Sequence, residues 1–87
     1  MNFGQALEHC KNGYKIQREG WNGKNQFVLK AGGYLVTEAR PGSDYAKAGI
    51  TGEFYIAPHL DLRNAQGIMQ PGWVPSQGDL FADDWVV

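Results

Sequence analysis

Twelve of the 87 residues are glycine, about twice the ~7% usual for a soluble domain. Glycine weakens the interior of a helix or strand and is at home where the backbone must turn tightly. A chain this rich in it is broken into short elements. Short strands and hairpins fit that constraint better than a helix bundle does.

The first element is nevertheless a helix. Asn2-Phe3-Gly4-Gln5 has the form of a capping box, with Asn2 as N-cap and Gln5 reaching back. Phe3, Ala6, Leu7 and Cys10 follow at i, i+3, i+4 and i+7, a single apolar stripe. Gly13 ends it, which predicts a helix over residues 3–12. Tyr14–Glu19 then alternates with period 2, a half-buried strand with Tyr14, Ile16 and Arg18 on one side.

Asn22-Gly23 has the composition of a hairpin turn, leading into a strand at Phe27–Lys30. Gly32-Gly33 offers a second two-residue turn, returning along Tyr34–Thr37. Residues 38–53 read as a long polar loop with one helical turn near Asp44–Ala48. Phe54–Ile56 and His59–Arg63 form a strand interrupted at Pro58, which cannot donate to a ladder. Leu60 and Leu62 face in; His59, Asp61 and Arg63 face the other way. Asn64–Gly67 turns the chain so that Ile68–Gln70 pairs back. Ser76-Gln77-Gly78-Asp79 is a second capping box, opening a helical turn, and Trp85–Val87 closes as a strand. The prediction is one α+β domain over residues 1–87: an antiparallel sheet of short strands, an N-terminal helix and a short C-terminal helix.

A domain of this length buries only about 60–65% of its unfolded surface, so assembly with further copies would help it. Eight Lys and Arg against nine Asp and Glu give a net charge of −1, which provides no basic face for duplex nucleic acid. A small phosphorylated ligand needs only an arginine and some backbone amides. Cys10, the one cysteine, has no partner for an intramolecular disulfide, as expected in a reducing cytoplasm. No apolar run approaches the ~20 residues of a membrane span, and the amphipathic, Glu8-bearing start does not resemble a signal peptide.

Catalytic patterns are weak. His59 and Asp61 share a strand face, but no nucleophile elbow accompanies them or Ser76. His9 and His59 lack partners at metal-ligand spacing, so no metal site is expected. No phosphate-binding glycine loop or dinucleotide fingerprint occurs, and no cofactor is expected. Asp83-Asp84 reads as a solvated turn rather than an acid/base pair. These residues do not make a case for an enzyme.

Aromatic residues near turns are the better lead. Trp21 precedes Asn22-Gly23, and Trp73 lies between Pro71 and Pro75. A tryptophan on a stiff loop loses little entropy on stacking against a ligand. In a thin-cored domain the same residues also serve as core or as contacts between copies, and composition leaves both readings open. Arg18 has two readings as well: a strand-end cation whose head reaches water, or a cation lining a pocket. Ser76 and Asp79 cap the helix beside Trp73, and Asp79 is suited to accept from a ribose hydroxyl.

Several of these segments together resemble a known family. They are MNFGQALEHCKNGYKIQREGWNGKNQF at residues 1–27 and YIAPHLDLRNAQGIMQPGWVPSQGDLFADDW at 55–85, with the spacing between them. REGWNG, Pro58-His59, WVPS at 73–76 and Asp84-Trp85 are the most specific pieces. The resemblance is to the Thoeris anti-defence protein two family of phages and prophages, formerly a domain of unknown function. It covers nearly the whole chain except the loop at 38–53. It implies a binding protein in the cytoplasm of the infected bacterium, not an enzyme. Such proteins sequester the cyclic ADP-ribose-derived signal of Thoeris defence as homotetramers, with pockets between protomers. Some also take cyclic dinucleotides. Carried onto this sequence, the resemblance and chemical suitability together select Arg18, Trp21, Asn22, Trp73, Ser76, Gln77 and Asp79 as ligand-binding residues. The competing expectations are a sponge for the cyclic di- or oligonucleotides of CBASS, and a small phage module that binds another protein.

Overall fold

The computed structural model describes residues 1–87. Helix α1 (Phe3–Lys11) opens on the expected capping box. Asn2 Oδ1 accepts from Gln5 N at 2.9 Å, and Gln5 Oε1 accepts from Asn2 N at 3.0 Å. Gly13 ends it with a φ of 99° that an L side chain rarely adopts. The apolar stripe is turned inward: Ala6 and Cys10 are fully buried, and Phe3 packs against the core.

The strands form three small antiparallel sheets. β2 (Phe27–Ala31), β5 (His59–Arg63) and β6 (Met69–Pro71) make the largest, in the order β2-β5-β6. Its registers pair Val28 with Leu62 and Phe27 with Arg63. β1 (Gln17–Arg18) pairs with β7 (Trp85–Val86), setting Arg18 opposite Trp85. β3 (Tyr34–Val36) pairs with β4 (Phe54–Ile56) as a separate two-stranded ribbon. Two more short helices, α2 (Asp44–Lys47) and α3 (Gln77–Leu80), complete an α+β domain.

Three expectations about local pairing are corrected. Asn22-Gly23 is not a primed hairpin turn. Neither residue has positive φ, and the left-handed position is Asn25 at 62°. The strand expected over 14–19 meets β2 through the single bridge Ile16–Val28, and its end turns to β7 instead. Tyr14 is therefore exposed, lying edge-on to His9, rather than on the buried side. Gly32-Gly33 has positive φ at both residues but joins no hairpin, because β2 and β3 belong to different sheets. The chain turns a corner there, with Gly33 N donating to Ile56 O at 2.6 Å. Pro58 marks the reciprocal corner, where the chain passes from β4 to β5.

The core is Ala6, Cys10, Ile16, Val28, Leu62 and Trp85. Each large apolar side chain buried there is worth about 1.5–3 kcal/mol. Only 7 of 87 residues are buried, so interactions at the margin of this core weigh heavily in stability.

Candidate functional site

The seven candidate residues lie on three pieces of backbone. Arg18 ends β1, Trp21 and Asn22 follow it, and Trp73, Ser76, Gln77 and Asp79 belong to the loop and helix before β7. Pairing of β1 with β7 is what brings these stretches together. Trp85 stands fully buried between them.

Arg18 shares the core-facing parity of Ile16, and two carboxylates meet it there. Its Nε donates to Asp84 Oδ1 at 2.8 Å, and one Nη to Asp79 Oδ1 at 2.9 Å. Asp84 uses its other oxygen to accept from Gly20 N at 2.8 Å. Asp79 also accepts from Trp21 Nε1 at 3.2 Å and from Ser76 N at 3.0 Å. Ser76 Oγ accepts from Asp79 N at 3.1 Å, completing the second capping box. Arg18, Trp21, Ser76 and Asp79 are thus one hydrogen-bonded unit.

Its electrostatics follow from those bonds. Burial by itself raises the Asp79 pKa, but the Ser76 amide, the Arg18 guanidinium and the Trp21 indole outweigh it and hold the carboxyl below its ordinary value. The Arg18 bond depresses Asp84 in the same direction. The two carboxylates, Asp84 first, raise Arg18 further above its already high value. Ionised and fully engaged carboxylates of this kind accept protons poorly. Burial also pushes the Cys10 thiol up, which makes it a weak nucleophile.

The three tryptophans form one cluster. Trp21 meets Trp85 with ring centroids 5.3 Å apart and Trp73 at 6.1 Å, both edge-on. Trp73 meets Trp85 at 6.4 Å. Trp21 and Trp73 are partly buried against the core, and Trp85 is fully buried. Asn22 and Gln77 are exposed, and their side chains hold no partner within the chain. A concavity of about 300 Å³ opens beside Arg18, Trp21 and Lys24. Asn22, Trp73, Ser76, Gln77 and Asp79 are not among its walls.

A profile of the Thoeris anti-defense 2-like domain matches residues 1–87. The chain belongs to the Thoeris anti-defense 2-like family. It is also 37% identical over 87 residues to a protein of Bacillus phage SP01 named Thoeris anti-defense 2, across 98% of this chain and 91% of that one. The resemblance carried by REGWNG and WVPS therefore holds along the whole length.

In this Thoeris anti-defense 2-like chain, sequence reasoning missed Asp84 and Gly20. Asp84 is not a solvated turn residue; it clasps Arg18 from the position just before β7. Its signal was the Asp84-Trp85 pair, which becomes informative only once β7 is paired with β1. No group of three or more His, Cys, Asp or Glu side chains is gathered as metal ligands are.

Proposed function

We propose that this protein binds a cyclic nucleotide immune signal, glycocyclic ADP-ribose of Thoeris defence, and holds it uncleaved so that the effector stays inactive. The observation that carries the proposal is the family match across residues 1–87, together with the name of the phage relative. The protein would act in the cytoplasm of the infected bacterium, without a cofactor, as a homotetramer with pockets between protomers. Within the site, Trp21 and Trp73 supply aromatic surface, and Asn22 and Gln77 supply free amides for ribose hydroxyls. Arg18, Ser76 and Asp79 fix the backbone that presents them. The engaged state of both carboxylates supports retention over turnover.

The test is to mix the protein with the signal, remove unbound material, heat, and analyse what is released. Intact signal supports sequestration; a cleavage product would point to an enzyme. Trp73→Ala should lose retained signal while its circular dichroism is kept, because Trp73 lies at the edge of the tryptophan cluster.

A further inference from the structure

The largest concavity of the molecule, about 640 Å³, lies away from the tryptophan cluster. That volume is in the range that holds nucleotide-sized ligands. Strand register builds it. Ile16 bridges Val28, and Phe27 pairs with Arg63, so Lys15, Gln17, Phe27 and Arg63 share the face opposite the core. Lys15 Nζ sits 4.9 Å from the Phe27 ring centroid and the Arg63 guanidinium carbon 5.9 Å from it. These cation–π contacts hold both long side chains at one ring.

Neither cation has a carboxylate within ion-pair distance; among Lys and Arg, only Lys11 and Arg18 do. No acidic side chain lines the concavity, whose wall is closed by Val87 at the carboxyl end of the sequence. Asn64 adds donors: its Oδ1 accepts from Gln66 N at 3.0 Å and Ile68 N at 2.9 Å, and its amide hydrogens have no partner in the chain. In a chain of net charge −1, this is a local concentration of unpaired positive charge and N–H donors around one aromatic ring. Gln17 and Asn25 also line the smaller concavity beside Arg18 and Trp21, so the two spaces adjoin.

We propose that the cleft between Lys15 and Arg63 seats the diphosphate of a nucleotide ligand. Arg18 cannot supply that charge, since two carboxylates already occupy it. Lys15 and Arg63 are held in place before any ligand arrives, which reduces the entropy lost on binding. The anion seat stands on the cleft alone; that the same ligand is the cyclic signal rests on the proposed function.

The test uses calorimetric titration with inorganic pyrophosphate at low salt. Wild type, Lys15→Gln, Arg63→Gln, the double variant and Lys47→Gln are compared, and retention of the cyclic signal is measured on the same set. Lys47, on α2, lies outside the cleft and serves as the control. Each single substitution should weaken pyrophosphate binding roughly tenfold, the double variant should abolish it, and added salt should weaken it further. Folding is checked by circular dichroism, and both cations are free of hydrogen-bond partners in the chain. Pyrophosphate binding that is absent in wild type, or unchanged in the double variant, overturns the anion seat. If wild type retains the signal and the double variant retains it equally, the cleft is not the signal's seat and the sponge reading survives. If the cleft binds pyrophosphate but wild type takes up no signal, the sponge reading fails and the anion seat stands.

Discussion

At the level of single residues, Gly20 shows how little room the Arg18 clasp leaves. A Cβ there would come within 2.6 Å of Asp84 Oδ2, the oxygen that already accepts from the Gly20 amide. Gly20 has no positive φ, so alanine would otherwise stabilise by stiffening the unfolded chain. The crowding reverses that sign. Gly20→Ala should lower stability by about 1–2 kcal/mol, seen as a lower urea midpoint with an unchanged slope. The acid response tests the same clasp. Asp79 and Asp84 have folded pKa values below the ordinary 3.8. Their contribution is therefore complete above that value and lost as pH falls through the depressed values. Stability should be level near neutrality and fall off below about pH 4. Asp79→Asn should be less stable at pH 7 and show a shallower acid fall, both read from urea melts across pH. The Arg18 side chain was legible from strand parity as one pointing inward. Its partners were not, because they lie 61 and 66 positions downstream, and nothing in the sequence shows that the predicted closing strand pairs with β1.

At the level of elements, local chemistry was readable where it is self-contained. Both capping boxes, the α1 stripe, the helical turn at α2 and the return of β6 onto β5 formed as the residues dictate, since each satisfies its own backbone within a few positions. The two dipeptide turns were not readable for the opposite reason. Asn22-Gly23 and Gly32-Gly33 carry hairpin composition, but the partner of each flanking strand is decided by distant segments: β7 for β1, and β5 for β2. Gly32 is required for another purpose. Its φ is 75°, and a Cβ on it would be driven into the Ala57 carbonyl and close to His59 Nδ1. Gly32→Ala combines a left-handed backbone penalty of about 1–2 kcal/mol with a clash against main chain that cannot yield. A loss of about 2 kcal/mol or more is expected in urea denaturation, larger than for Gly20→Ala, where the neighbour is a movable side chain.

At the level of the whole molecule, the chain is too long for its mass. Its radius of gyration is 15.3 Å, with extents of 43 × 26 × 20 Å, where a compact domain of this length measures about 12 Å. The excess is the β3–β4 ribbon with α2, a segment over residues 33–58 that contains no buried residue. Tyr45 packs on Phe54 at 5.1 Å on one side of the ribbon, while Leu35 and Tyr55, paired across the strands, are 54% and 61% exposed. A two-stranded ribbon is marginal in water by itself, and both of its edges are open for pairing. The proposed tetramer gives this surface an occupant: the same surface of a second copy, related by a two-fold axis. Strand alternation places Leu35 and Tyr55 on one face of the ribbon, and Tyr34 with Phe54 on the other. Leu35 and Tyr55 thus form the apolar centre of such a contact, to which each partner of a stable interface contributes ~800 Å². Replacing Leu35 by Glu and Tyr55 by Lys together keeps an attractive cross-strand pair while removing the apolar face. Light scattering should then show the wild-type assembly reduced to smaller species, with the circular dichroism of the body retained. If the double variant keeps the wild-type mass, the ribbon is not the contact between copies.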